Sequence, residues 1–156
     1  MSAADPVGID ARLQQARRRL SRLTPERAAA RLSTGAVLVD IRPAGQRAAE
    51  GEVPGAVVVE RNVLEWRLDP SSEAALPLAA YDLDVIVLCQ EGFTSSLAAE
   101  SLLDLGVIRA TDVEGGFAAW RAAGLAWSRT VSPTVDELRS AASTPISVTG
   151  GHGGRS

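Results

Sequence analysis

Short apolar runs that stop abruptly, separated by segments with helical spacing, constrain this chain more than any other feature. Ala36 to Val39 is closed by Asp40, Ala56 to Val59 follows Pro54-Gly55, and Val85 to Leu88 follows Asp82 and Asp84. None alternates apolar with polar residues, so each reads as a strand buried on both faces. Asp112-Val113, ahead of Gly115-Gly116, gives a shorter fourth. Between them, Ser95 to Leu105 ends at Gly106 and Phe117 to Ala123 ends at Gly124, the pattern of helices closed by glycine. Thr24-Pro25-Glu26 opens another helix, with Thr24 as N-cap, running to about Leu32 before Gly35. Strands alternating with helices predict an α/β fold with a largely parallel sheet.

Ahead of that pattern, Ile9, Leu13, Ala16 and Leu20 recur at helical spacing and predict an amphipathic helix over 9–20. Arg12, Arg17, Arg18, Arg19, Arg22, Arg27 and Arg31 make this part basic, and they read as a solvated face with local ion pairs. A net charge of -3 argues against a nucleic-acid partner. At the other end, Val135 to Ala142 predicts a short helix, followed by a Gly/Ser/Thr-rich end expected to be disordered.

A chain of 156 residues, 46% hydrophobic, can bury one sizeable core. No apolar run approaches the roughly 18 residues of a membrane span, and the N-terminus has no leader-like segment, so a cytoplasmic protein that meets no membrane is expected. Cys89 is the only cysteine, which permits no internal disulfide and fits a reducing compartment. Neither a metal nor a cofactor is expected. All sixteen basic residues are arginine, so lysine chemistry is excluded.

Cys89 stands where an apolar strand meets a short loop and a helix, in Val85-Ile86-Val87-Leu88-Cys89-Gln90-Glu91-Gly92-Phe93-Thr94-Ser95-Ser96. Open parallel sheets bind ligands at the carboxyl ends of their strands. Loop N–H groups and the helix dipole can converge on the sulfur there and favour the thiolate, the nucleophilic form. Gly92 permits a tight turn, while Thr94 and Ser95 are candidate helix caps and donors to an anionic sulfur. A small buried apolar role for Cys89 is also compatible with its place at a strand end.

Three cysteine mechanisms fit poorly. A Cys-His hydrolase needs an imidazole, and the only histidine is His152 in the tail. A cysteine phosphatase uses an arginine at the sixth position after the cysteine, where this chain has Ser95. A dithiol oxidoreductase needs a second cysteine. A lone thiolate held by backbone donors, suited to carrying a transferable atom, remains.

The chain resembles the rhodanese family in three segments. Val37-Leu38-Val39-Asp40-Ile41-Arg42-Pro43, followed by Gly51-Glu52-Val53-Pro54-Gly55-Ala56, is similar to its opening signature. The loop from Cys89 to Ser95 and the segment Glu114-Gly115-Gly116-Phe117-Ala118-Ala119-Trp120 are similar to its active-site loop and closing signature. The similarity covers about residues 20–128, which leaves 1–19 as an N-terminal extension and 129–156 as a C-terminal tail.

The resemblance implies a rhodanese-like three-layer fold, a central mostly parallel sheet flanked by helices. It implies a loop, Cys89 to Thr94, that cradles a cysteine persulfide. In such enzymes the cysteine takes sulfane sulfur from thiosulfate or a persulfide and passes it to a thiol or cyanide. Cys89 is then the catalytic residue, with the backbone of Gln90, Glu91, Gly92, Phe93, Thr94 and Ser95 stabilising the terminal anion. A protein acceptor would be a further partner. A low-turnover module for protein binding or sulfur relay, or a redox-sensing thiol, would use the same scaffold.

Two positions depart from the family pattern. Glu91 puts a negative charge where thiosulfate-using members often have basic residues, and Glu52 replaces a usual histidine, with an effect expected on packing. Compensating charge is sought in Glu60 to Pro70, which follows the second strand: Arg61 and Arg67 are candidate anion binders and Trp66 a candidate pocket wall, against a plain surface segment of ion pairs. Asp40 and Arg42 are expected to brace loops, and Phe117, Trp120 and Trp127 to pack.

Overall fold

The structure, a computed structural model, describes residues 5–143. The expected disorder of the last residues and His152 lie outside the described residues. Strands β1 (Val37–Asp40), β2 (Val57–Val58), β3 (Val85–Leu88) and β4 (Thr111–Asp112) form one sheet in the order β2-β1-β3-β4. Every pairing is parallel, with Val39 opposite both Val57 and Val87 and Val87 opposite Asp112.

The helices are α1 (Ile9–Arg18), α2 (Pro25–Leu32), α3 (Ala44–Glu50), α4 (Leu64–Leu68), α5 (Thr94–Asp104), α6 (Gly116–Ala122) and α7 (Val135–Ser143), with a 3-10 turn at Arg61–Val63. Thr24 caps α2 as expected, its hydroxyl accepting the Arg27 N–H. Strand boundaries differ from expectation by one residue or so: β1 extends to Asp40, and β2 shrinks to Val57–Val58. Helix α3 was not anticipated, because AGQRAAE carries no apolar side chain larger than alanine and buries only Arg47.

The sheet has a core on each face, which the two-residue period of a strand explains. Val85 and Val87 of β3 point into one cluster with Val39, Leu64 and Leu68 of α4, and Ala98, Ala99 and Leu102 of α5. Ile86 and Leu88 point into the other, with Leu38, Ala28 of α2, and Phe117 and Trp120 of α6. Complete burial of all four β3 side chains, at about 1.5 to 3 kcal/mol each for the larger ones, fixes the strand that ends at Cys89. Helix α1 lies outside these layers and packs on α5 through buried Leu13 and Ala16.

The basic N-terminal face is not simply solvated. Arg12 and Arg19 pair with Glu100, Arg19 also with Asp104, and Arg31 with Asp84. Trp127 packs against Gly51 with the guanidiniums of Arg121 and Arg129 over its ring, in line with a packing role.

Candidate functional site

In this strand order the chain departs to opposite sides after β1 and β3, and such a reversal opens a crevice at the carboxyl ends of the two strands. The residues that follow β1 (Ile41, Arg42, Pro43) and β3 (Cys89, Gln90, Glu91) line a cleft of about 390 Å³ with Gln46, Phe93 and Thr94. Cys89 sits at its base, buried to 4% exposure.

The loop turns its N–H groups toward the sulfur. Gly92 N–H donates to Cys89 Sγ at 3.2 Å and Ser95 N–H at 3.4 Å. Gly92 adopts φ +85, a conformation open chiefly to glycine. The loop carbonyls are drawn the other way: Cys89 C=O accepts from Phe117 N–H at 2.8 Å and Gln90 C=O from Ala118 N–H at 3.0 Å. Two N–H groups of the first turn of α6 are therefore satisfied by the loop. That close approach needs Gly116, where a Cβ would meet the Cys89 carbonyl oxygen and lie 2.7 Å from the Gly92 nitrogen.

Thr94 and Ser95 do not cap α5, whose first turn carries no side-chain cap. Thr94 lines the cleft, and the Ser95 hydroxyl donates inward to Asp112 Oδ2 at 2.8 Å, beside the Ser96 hydroxyl at 2.7 Å. Asp112 is fully buried and was missed as a site-supporting residue; an acidic side chain within so short a strand was the available signal.

Arg42 lines the cleft with its donors engaged. Its Nε and Nη2 hold both oxygens of Asp40, Nη2 also reaches the Gly51 carbonyl, and Nη1 donates to Gln90 Oε1 at 2.8 Å. The expected bracing by Asp40 and Arg42 thus joins the β1 loop to the Cys89 loop. Glu91 is an exposed carboxylate of the cleft lining, and Phe93, 57% exposed, forms its apolar lip.

The residues sought for compensating charge stand apart from this cleft. Arg61 lines an adjoining groove that shares Ile41, Arg42 and Pro43, with its Nη1 held by both oxygens of Glu65. Burial of Glu65 favours its neutral form, but hydrogen bonds from Ser101 and Arg61 outweigh this and hold the carboxyl below its usual range. Arg67 pairs with Asp136 at 2.6 Å. Trp66 lines a separate groove with Glu65, Asp69, Ser72 and Leu105, so it is no wall of the Cys89 cleft. Among the described residues no group of three or more His, Cys, Asp or Glu side chains could hold a metal ion, and no helix is long and apolar enough to cross a membrane.

A family model described as the rhodanese-like domain matches residues 24–123. The thiosulfate sulfurtransferase GlpE of Pseudomonas savastanoi pv. phaseolicola is 38% identical over 103 residues, covering 65% of this chain and 87% of that relative. A solved structure from Rhodopseudomonas palustris, of a protein of unknown function described as a possible tyrosine phosphatase, superimposes with a TM-score of 0.73 at 34% identity. It covers 82% of this chain and 99% of that one. The polysulfide-sulfur transferase homodimer of Wolinella succinogenes matches with a TM-score of 0.64 over 76% of this chain and 85% of its own, and at 24% identity that likeness concerns the fold alone.

Proposed function

Because this chain belongs to the rhodanese-like domain family, we propose that it is a sulfurtransferase in which Cys89 carries sulfane sulfur as a persulfide. The observation that carries this reading is the pair of backbone N–H groups, from Gly92 and Ser95, directed at a lone cysteine sulfur at the base of a cleft. Those donors favour an anionic sulfur and need no proton-accepting side chain.

Attack by the Cys89 thiolate on the sulfane sulfur of thiosulfate forms the Cys89 S–S bond and breaks the bond to the sulfonate sulfur, whose electron pair leaves with sulfite. Cyanide then takes the outer sulfur as thiocyanate and regenerates the thiolate. A thiol acceptor, small or carried by a protein, leaves as its own persulfide. A free working thiol suits a reducing compartment, and the cytoplasm is the proposed setting. Phosphatase chemistry finds less support, because Ser95 occupies the place of a phosphate-binding guanidinium.

A low-turnover relay module is favoured by one feature: Glu91 lines the cleft, while Arg42, the only cation lining it among the described residues, is already engaged. In that reading the donor is a persulfide, not thiosulfate. Incubation with thiosulfate, or separately with an organic persulfide, followed by intact-mass measurement tests both. A gain of one sulfur, lost on adding cyanide and absent from Cys89→Ser, is expected. Loading by the persulfide alone selects the relay, and no gain from either donor overturns the sulfurtransferase.

A further inference from the structure

Two arginines that precede the region matched by the family model reach the back of the Cys89 loop. The Gly92 carbonyl accepts from Arg17 Nη2 at 2.8 Å and from Arg22 Nη2 at 3.1 Å. Arg17 Nε also donates to Ser96 Oγ at 3.2 Å. Arg22 holds Asp112 with Nε to Oδ1 at 2.9 Å and Nη2 to Oδ2 at 3.2 Å, and that carboxylate in turn anchors Ser95. Each residue that donates to the sulfur, Gly92 and Ser95, is thereby gripped from behind by the same network.

The consequence for the loop follows from peptide geometry. All described peptide bonds are trans, and because the peptide group is planar, a Gly92 carbonyl fixed on the guanidiniums sends the Phe93 N–H in the opposite direction. Neither guanidinium lines the cleft, which puts the carbonyl on the side away from it. Rotation of this peptide is free at Gly92 but would carry Phe93 from φ -90 to a positive φ, so the guanidiniums add to a steric preference against a form that would turn a carbonyl dipole toward an anionic sulfur.

We infer that Arg17 and Arg22 are positioning residues, which lock the Gly92–Phe93 peptide so that the loop offers only N–H groups to the Cys89 sulfur and to any outer sulfur it carries. The last clause rests on the proposed sulfurtransferase; the first does not. It also gives α1 a task. Burial of Leu13 and Ala16 and the Arg12–Glu100 and Arg19–Asp104 pairs fasten α1 to α5, which carries Arg17 to the loop.

The charged groups around the sulfur are Glu91 and Arg42 in the cleft, Asp40 beneath Arg42, and Arg17, Arg22 and Asp112 behind the loop. Arg17 is therefore replaced in two ways. Arg17→Gln removes charge and fork, whereas Arg17→Lys keeps the charge but cannot span both the Gly92 carbonyl and Ser96. Arg22→Gln is a secondary variant, since it strands buried Asp112 and endangers the fold.

The readout is the rate of Cys89 alkylation by iodoacetamide over a pH series, with thermal melting alongside. Arg17→Gln is expected to move the midpoint of the rate profile up by about one pH unit, about tenfold slower alkylation below it. Arg17→Lys is expected to keep most of that loss, with little change in melting for either variant. A parental profile in Arg17→Gln, with or without a lower melting temperature, overturns the inference. Full rescue by Arg17→Lys also overturns it, because charge alone would then suffice. If Cys89 accepts no sulfur from any donor while the Arg17 variants still shift the profile, the positioning role stands and the sulfurtransferase reading falls.

Discussion

The guanidinium of Arg42 lies 4.4 Å from the centre of the Phe117 ring, joining the β1 loop to the helix that supports the Cys89 loop. The contact is buried, with Arg42 at 2% and Phe117 at 0% exposure. Arg42 is thus part of the floor of the site, and its charge is spent on Asp40. Removing it strands a fully buried carboxylate, which typically costs about 3 to 5 kcal/mol. Arg42→Met is expected to lower stability by that much, read as a lower urea midpoint at unchanged slope. A loss below about 1 kcal/mol would show that Asp40 finds other partners.

With Arg42 engaged, Glu91 is left as the uncompensated charge of the cleft lining among the described residues. A doubly charged donor pays for approaching it, and salt should relieve part of that cost. Glu91→Lys is expected to raise kcat/KM for thiosulfate by about tenfold at low salt, a change of about 1.4 kcal/mol. Added salt should raise the rate of the parent and not that of the variant. Equal kinetics for parent and variant would mean that Glu91 does not face the donor.

The place of Cys89 is readable in the sequence because one apolar run of strand length meets glycine and hydroxyl residues within six positions. The sheet is readable for the same reason: each strand is announced by its own residues. What supports the loop is not. Arg17 and Arg22 reach the loop across 70 residues or more and Asp112 reaches Ser95 across 17, and no local spacing marks a charged residue as a partner of a distant carbonyl or hydroxyl. Arginines on a helix face look alike whether water or a buried loop receives them. Helix α3 is silent because alanine-rich turns carry no apolar period, and Trp66 misleads because an aromatic residue near a strand end need not face the nearest cleft.

Gly115-Gly116 illustrates a motif whose reason lies in contact. At Gly116, φ is +60 and a Cβ would press on the backbone of the Cys89 loop. Backbone cannot yield as a side-chain tip can. Gly116→Ala is therefore expected to cost about 2 kcal/mol or more in stability and to reduce sulfur loading of Cys89 at temperatures where the variant is still folded. Retention of parental loading would show that the loop tolerates displacement. Calorimetry and intact mass after thiosulfate or persulfide treatment separate the two effects.

Glu52, at the position where the family usually has histidine, is buried with Arg47, its Oε2 accepting from Nη1 at 2.7 Å, while both of its oxygens accept from the Ser132 N–H. Burial by itself favours the neutral acid, but the hydrogen bonds from Arg47 and Ser132 and the Arg47 charge more than offset it and hold the carboxyl below the usual glutamate range. The unfolded chain, with Glu52 near about 4.3, then binds the proton more readily than the folded one. Its stabilising effect is complete above that value and is lost as pH falls through the lower folded value, at a slope of at most about 1.4 kcal/mol per pH unit for one group. Glu65 titrates in the same direction, so the parent combines both losses. Glu52→Gln is expected to be less stable at neutral pH, where Arg47 loses its counter-charge, and to lose less on acidification. Urea midpoints measured at neutral pH and again at pH below about 4 give the comparison: parallel losses in parent and variant would mean that Glu52 is not held ionised by Arg47 in the folded protein.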